Sequence, residues 1–149
     1  MKLGNGPKTK QWRLWDLTVI RDVETHEVTF RRRRIIETPW FALWHHTHSE
    51  ADAGVLHDHP RGFLAFIYLG GYDECRSYGG KRHPMRWFNA KRATDAHYIA
   101  KFHRYPTRSL LLAGPVRRTW GYVDRQGQWT AYYNHPLGQD GRFEGVRSG

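Results

Sequence analysis

The sequence predicts an all-β protein in which antiparallel strands form a sandwich or a barrel. Short runs rich in aromatic and β-branched residues recur along the 149 residues, and turn residues separate them. No stretch keeps the 3.6-residue apolar period of a long helix, so crossover helices are not expected. Aromatic residues make up 15% of the chain, and their side chains suit pleated strands. The length fits one domain with its own core.

The N-terminal half contains three predicted strands. Residues 1–10 are rich in Gly, Pro and Lys and are expected to form a flexible arm. Strands follow at 11–20 and 27–36, and after the break at Pro39 a third covers 40–48.

The second of these strands carries four consecutive arginines, Arg31 to Arg34. Four charges in a row are not expected to put one face in a core, so this part of the strand is predicted to be exposed or at an edge. A phosphate-binding role is the alternative.

The second half continues as short strands separated by Gly and Pro turns, such as Gly70-Gly71 and Gly114-Pro115. Residues 90–95 are expected to hold at most one helical turn, and residues 134–149 form a Gly-rich polar tail. The single domain therefore covers 11–133. The remaining strands are predicted at 56–59, 63–69, 72–78, 85–88, 97–102, 109–113, 117–123 and 129–133.

The formal net charge of +10 favours an anionic partner, although basic residues also keep proteins soluble. Cys75 is the only cysteine, which excludes an intrachain disulfide and suggests a buried structural thiol. We find no signal peptide and no apolar run long enough for a membrane span. A cytoplasmic protein is the expectation.

A His-x-His pair, His57 and His59, precedes the apolar run at 63–69. Residues i and i+2 of an extended strand project from one face, so both imidazoles can reach one point. Imidazole is a common metal ligand, and the pair therefore predicts a metal site.

The pair, the strand after it and the turn at Gly70 resemble the first sequence motif of the cupin superfamily. The carboxylate ligand of that motif would fall on Phe63 or Leu64, so it is missing from its usual place. The second cupin motif supplies another histidine, for which His97 is the best candidate, followed by His103. The resemblance implies a divalent ion, Fe, Mn, Ni or Zn, bound by His57, His59 and His97.

More closely, the chain is similar to small cupin-like proteins of bacteriophages and bacteria. The shared pattern is Leu-His-Asp-His-Pro at 56–60, Gly-Gly-Tyr-x-Glu at 70–74 and Gly-Pro-x-x-Arg-x-Trp-Gly-Tyr at 114–122. This resemblance covers about residues 40–133. It implies an antiparallel double-stranded β-helix, the cupin jelly-roll barrel, with a metal site, and it implies little about the reaction. It also suggests a phage-encoded protein in a host cytoplasm.

Glu74 is the candidate for the missing carboxylate, both as a metal ligand and as a catalytic group. It follows the Gly turn on a strand expected to return toward the histidines. The alternative is an exposed hairpin carboxylate paired with an arginine. Without Glu74 the site would be three histidines and water, which leaves positions open for catalysis.

Other side chains are candidates for contacts with the substrate. His46, in the cluster with His45 and His48, is a candidate acid–base group, and surface histidines are the alternative. Arg118 would share a strand face with Trp120 and Tyr122 and is a candidate catalytic or anion-binding residue. The alternative places both aromatic side chains in the core and Arg118 at the barrel rim.

Asp58 faces away from the two histidines beside it. It is expected to support the site or the neighbouring hairpin rather than to bind the ion.

Three functions follow from these observations. The first is a metal-dependent enzyme of oxygenase, isomerase or hydrolase type, acting on a small anion such as a nucleotide or sugar derivative. The second is a cupin that binds a small ligand without turnover. The third is a basic nucleic-acid-binding module, for which no motif is present. A homodimer is a further expectation, with Trp12 and Trp15 as a candidate surface.

Overall fold

Strands make up most of the computed structural model, which describes residues 13–21, 28–49, 54–136 and 143–146. They pair antiparallel throughout the described residues, as the sequence predicts. The strands are β1 (Arg13–Arg21), β2 (Val28–Glu37), β3 (Ala42–His48), β4 (Leu56–His57), β5 (Arg61–Leu69), β6 (Tyr72–Cys75), β7 (Arg82–Met85), β8 (Phe88–Lys91), β9 (Tyr98–Phe102), β10 (Thr107–Val116), β11 (Gly121–Val123), β12 (Trp129–Ala131) and β13 (Phe143–Val146).

Two layers of strands enclose the interior. One layer is a seven-stranded sheet in the order β13-β1-β2-β3-β10-β5-β8. The other consists of two three-stranded sheets, β12-β11-β4 and β7-β6-β9, which an antiparallel bridge between His57 and His97 connects. The predicted all-β barrel architecture is therefore confirmed.

Inward side chains of alternate strand residues form the core. One cluster contains Ala42, Trp44, Ala65, Leu111 and Ala113 and lies within the seven-stranded sheet. A second cluster, Ile67 with Tyr72, Ile99 and Phe102, joins that sheet to the opposite layer. Because side chains alternate between the two faces of each strand, one face of every strand points inward. The two layers close around these inward apolar side chains.

The arginine run differs from its prediction. β2 lies between β1 and β3, so the run is not at an edge of the sheet. Arg32 pairs in register with the buried His46 and Arg34 with the buried Trp44, which places both arginines on the inward face. Arg31 and Arg33 lie on the other face. The prediction of an exposed or edge segment is wrong for Arg32 and Arg34, because successive strand residues alternate between faces.

The outer face of the seven-stranded sheet carries side chains in cross-strand rows. The first row is aliphatic: Leu14, Ile36, Leu43, Leu112, Leu64 and Ala90. The second row is Leu17, Arg33, His45, Leu110, Phe66 and Phe88. Leu14, Leu112 and Phe88 are 68%, 56% and 61% exposed, so this face is an apolar surface in contact with solvent.

The turn between β5 and β6 requires glycine. Gly70 has φ 87°, and a Cβ there would meet the side chain of Thr107. Gly71 follows with φ 129°. Both positions lie where L side chains are disfavoured, so the predicted Gly turn is confirmed and brings β6 back toward the interior.

Three segments depart from the predicted elements. Strand β8 covers 88–91, so Ala90 and Lys91 lie in a strand rather than in the helical turn expected at 90–95, and a hydrogen-bonded turn from Arg92 to Asp95 follows. Residues 117–120 are not in a strand, so Arg118 does not share a strand face with Tyr122. Residues 143–146, expected in the polar tail, pair with β1.

Some expectations stay as predictions. Trp12 and the arm at 1–10 lie outside the described residues, and the division into an arm, a domain at 11–133 and a tail remains a prediction. Among the described residues, no helix has the length and apolar character that a membrane span requires.

Candidate metal centre

Three histidines converge between the two small sheets. His57 is at the end of β4, and His97 directly precedes β9. The two exchange both backbone hydrogen bonds, each of 3.0 Å, so their side chains leave the same face. His59 follows two residues after His57, and one ring nitrogen from each of the three lies within 4.8 Å of the others.

Hydrogen bonds fix which nitrogens carry protons. His57 Nδ1 lies 3.1 Å from the carbonyl oxygen of Val55, and His97 Nδ1 lies 2.9 Å from a carboxylate oxygen of Glu74. Both partners only accept, so each Nδ1 must donate its proton. In the neutral rings the Nε2 atoms of His57 and His97 are therefore unprotonated, as a metal ligand must be.

Burial keeps the imidazoles of His59 and His97 neutral. It lowers the pKa of His59 well below the usual value, and the neighbouring His57, His97 and Arg32 lower it further. Burial also lowers the pKa of His97, although its hydrogen bond to Glu74 raises it in part. A histidine binds a cation only in its neutral form, so the environment favours metal binding at neutral pH.

The three side chains fit a divalent ion. Nε2 of His59 lies 2.9 Å from Nε2 of His97. Two nitrogens bound at about 2.1 Å to one ion lie about 3 Å apart. The facing nitrogens are thus already near the separation that coordination requires, and the donor set of neutral imidazoles suits transition metals.

Glu74 is fully buried and is held by several donors. Its carboxylate accepts from His97, from Lys91 and from Asn89 Nδ2 at 2.9 Å, and Arg76 Nε lies at 3.1 Å. Burial alone would raise the pKa of Glu74, but the bonds from His97 and Lys91 outweigh it and lower the pKa well below the usual range. Its role as a metal ligand stays a prediction.

Sequence reasoning missed Lys91 and Asn89, which are both buried. They lie on the inward face of β8, where their register partners are Phe63 and Ala65. Asn89 and Lys91 are two residues apart and so share one face of a strand, but Lys91 falls in the segment where a helical turn is expected. Asn89 Nδ2 also donates to Tyr72, whose pKa burial raises to about 12.

The second histidine cluster divides between the two faces of β3. His46 is buried in the interior, where its ring stacks on Trp44. Arg32 Nε donates to His46 Nε2 over 2.9 Å. Burial lowers the pKa of His46 well below its usual value, with Arg32 the next largest cause. His48 contacts Phe102, whereas His45 lies on the outer face and bonds Tyr68.

Asp58 connects the loops behind the histidines. It is 2% exposed, accepts from Gly121 N at 2.7 Å and from Trp129 Nε1 at 3.0 Å, and pairs with Arg118 at 3.1 Å. The expectation that Asp58 faces away from the histidines and supports the structure is confirmed. Arg118 also lies over the Trp129 ring.

Two further residues, His103 and Cys75, are not part of the three-histidine cluster. His103 Nε2 is 2.7 Å from Asp73 and lines a separate cleft of about 470 Å³. Cys75 is buried, as expected of a structural thiol.

Solved structures similar to this chain share its fold. The polyketide cyclase RemF from Streptomyces resistomycificus is 15% identical, with 75% of this chain and 83% of that chain covered and a TM-score of 0.54. The DMSP lyase DddQ from Ruegeria pomeroyi DSS-3 is 16% identical, with 80% of this chain and 64% of that chain covered and a TM-score of 0.54.

A candidate mannose-6-phosphate isomerase from Ralstonia eutropha JMP134 is 15% identical, with 64% of this chain and 92% of that chain covered and a TM-score of 0.52. Together with the two-layered antiparallel topology, these likenesses show that the chain has the double-stranded β-helix fold. A scan against protein-family models and a search of curated proteins give no match.

Proposed function

We propose that this chain, with its cupin double-stranded β-helix, is a metal-dependent enzyme that acts on a small anionic molecule. The observation that carries the proposal is the convergence of one ring nitrogen each from His57, His59 and His97 within 4.8 Å. A divalent ion bound there would supply a Lewis acid or an oxygen-binding centre. The reaction would then be of oxygenase, isomerase or hydrolase type.

The donor set bears on the identity of the ion. Imidazole suits Fe, Ni and Zn, whereas Mn prefers carboxylate and water ligands. We therefore favour Fe, Ni or Zn over Mn if the three histidines act alone. Mn would become the better candidate if Glu74 also ligates.

We propose that Glu74 orients His97 instead of binding the ion. Its oxygens already accept from His97, Lys91 and Asn89. A carboxylate that accepts from the far nitrogen of a ligating histidine fixes the ring and raises its basicity. The ion would keep open positions, which a substrate or water can occupy.

The names of the similar structures support a small molecule as the substrate. A polyketide cyclase, a DMSP lyase and a candidate mannose-6-phosphate isomerase each act on a small molecule. The net charge of +10 favours an anion, for which nucleotides and sugar derivatives stay candidates. The catalytic roles predicted for His46 and Arg118 also stay predictions.

Metal analysis tests the proposal. The wild-type protein, reconstituted with Fe, Mn, Ni or Zn, is expected to bind one ion per chain. A His57→Ala/His59→Ala variant is expected to lose it, and His103→Ala serves as the matched control. The proposal fails if the wild type retains no more metal than the double variant.

The alternative is a cupin that binds a ligand without turnover. Open coordination positions distinguish the two, because a saturated ion cannot bind substrate. Azide added to the Co(II)-substituted protein is expected to change its visible spectrum. An unchanged spectrum would favour the non-catalytic alternative.

We also propose a homodimer formed through the outer face. Its two apolar rows cross six strands, which at about 4.8 Å per strand is a width of about 24 Å. Self-association about a two-fold axis along the aliphatic row would bury that row against its copy. The outward arginines Arg31 and Arg108 lie two rows, or four residues along β3 and β10, from the aliphatic row. In the dimer each would therefore lie about 27 Å from its copy, where salt screens the repulsion between the two charges.

Nucleic acid stays the alternative partner for the outer face. Phe66 and Phe88 could stack on bases while Arg33 and Arg108 meet phosphates. Retention on single-stranded DNA that falls steeply with salt and weakens in Arg33→Gln would favour it over the dimer. A cytoplasmic location, in a host cell if the gene is a phage gene, also stays a prediction.

A further inference from the structure

Arg32 projects into the barrel interior from the middle of the seven-stranded sheet. Its register partner is the buried His46, and its Nε donates to Nε2 of that ring over 2.9 Å. The guanidinium lies 4.5 Å from the centre of the Trp44 ring and 5.7 Å from that of Phe30. Two aromatic rings and a neutral histidine therefore hold this arginine.

The charge of Arg32 has no counter-ion among the described residues. Glu37 is close enough to raise the pKa of Arg32, but its carboxylate accepts from Arg34 Nε at 3.0 Å and from Trp44 Nε1 at 2.9 Å. Burial lowers the pKa of Arg32 to about 10, so the group stays charged at neutral pH. A partly buried cation without an anion is unfavourable, which points to a partner supplied from outside the chain.

The other inward arginines are already engaged. Arg34 pairs with Glu37, and Arg61 donates to the carbonyl oxygens of Gly114 and Thr38. Nη1 and Nη2 of Arg32 have no acceptor in the described part of the chain. Arg32 is therefore the inward guanidinium best able to take an anion.

Arg32 faces the same interior as the three histidines. Its charge lowers the pKa of His59, and His59 in turn affects the pKa of His46, which bonds Arg32. β2 and β3 lie in the layer opposite the one that contains His57 and His97. Arg32 and the three histidines therefore face the same interior from opposite layers.

We propose that Arg32 binds the carboxylate of a small carboxylic acid through Nη1 and Nη2, with His46 as the positioning residue for the guanidinium. Carboxylate is favoured over phosphate because its two oxygens match the planar fork of the two nitrogens. A tetrahedral oxyanion would project further oxygens out of that plane, toward the Trp44 ring on one side. The orientation of the ligand toward the histidines rests on the proposed function, whereas the anion site itself does not.

Binding of acetate tests the site, with acetamide as an uncharged probe of the same size and methylphosphonate as a tetrahedral oxyanion of similar size. Ligand-observed NMR titrations are expected to show acetate binding to the wild type that is about 10- to 100-fold weaker in Arg32→Gln. Arg32→Lys is expected to be intermediate. Arg33→Gln is the matched control, since it removes the same charge from the outer face.

Three results would overturn the inference. One is acetate binding to Arg32→Gln within about twofold of wild type, and another is an equal loss in Arg33→Gln, which indicates a general charge effect. The third is tighter Arg32-dependent binding of methylphosphonate, which would assign the site to phosphates. If Arg32→Gln does not fold, Arg32→Lys and His46→Phe replace it and are expected to weaken acetate binding relative to acetamide.

Metal content measured on the same samples separates this inference from the proposed function. Arg32→Gln is expected to keep the wild-type metal content. A wild type without metal that still binds acetate through Arg32 would refute the proposed function and support the anion site. A wild type that binds metal but shows no Arg32-dependent acetate binding would support the proposed function and refute the anion site.

Discussion

His59 and His97 face each other through their Nε2 atoms, which lie 2.9 Å apart. His97 cannot donate across this contact, because its proton is on Nδ1, bonded to Glu74. His59 must therefore donate to His97 in the metal-free protein, or both nitrogens must share a cation.

Glu74→Gln is expected to lower metal affinity about 10- to 100-fold, because an amide holds the His97 proton less strongly than a carboxylate. The variant also leaves Lys91 buried without its counter-ion, so we expect stability to fall by about 3–5 kcal/mol. Metal competition titrations and urea unfolding measure the two effects.

A double variant separates the two effects. Glu74→Gln/Lys91→Met removes both charges and is expected to recover stability without recovering metal affinity. Asp73→Asn is the control, since that carboxylate bonds His103. Unchanged metal affinity in Glu74→Gln would contradict the orienting role of Glu74.

Acid is expected to destabilise the metal-free protein from about pH 6.5 downward. The pKa values of His46, His59 and His97 are lowered in the folded state, mainly by burial. Above the unfolded value of about 6.5 these groups are neutral in both states and contribute nothing. Below it the unfolded chain binds protons that the folded chain does not, so stability falls by up to about 1.4 kcal/mol per pH unit for each histidine.

The lowered pKa of Glu74 adds a further loss as pH falls below about 4.3, where the unfolded carboxylate takes up protons. Urea midpoints at a series of pH values, with a chelator present, measure the slope. The slope is expected to be shallower in His59→Gln than in the wild type, and His103→Gln serves as the control variant. A flat profile between about pH 7.5 and about pH 5.5 would count against burial of neutral imidazoles.

Asp58→Ala is expected to cost about 3–5 kcal/mol of stability, because it leaves Arg118, Gly121 N and Trp129 Nε1 without their shared acceptor. Arg118→Ala should cost less, about 1–2 kcal/mol, since its side chain is 32% exposed. Both are measured by urea unfolding. A weaker affinity for acetate in a folded Arg118→Ala variant would instead support the anion-binding role predicted for Arg118.

Leu112→Glu is expected to shift the protein toward monomer, because it places a charge in the middle of the aliphatic row. We expect the dimer dissociation constant to rise at least about tenfold in sedimentation equilibrium. Thr94→Glu adds the same charge at an exposed turn and serves as control. A wild type that is monomeric at all concentrations would refute the dimer.

The sequence alone supports the fold and the pair His57 and His59, because both depend on local patterns. The alternation of apolar residues predicts the strands, and His-x-His predicts two ligands on one face. His97 could be selected only through the resemblance, since no local pattern links it to β4.

The surroundings of Glu74 and Arg32 depend on pairing between distant strands. Lys91 reaches Glu74 because β8 aligns with β5 in one register, and a shift by one residue would expose Lys91. The same rule turns Arg32 inward and Arg33 outward. Composition cannot reveal this, because an arginine run looks alike whichever residues face the core.

The bridge between His57 and His97 has a consequence for the opening of the barrel. It supplies the backbone hydrogen bonds that the described parts of the two three-stranded sheets share. Separation of these sheets must therefore break both bonds together. Amide hydrogen exchange at His57 and His97 should report on that local opening, and a bound divalent ion should slow exchange at these two amides more than at those of β10.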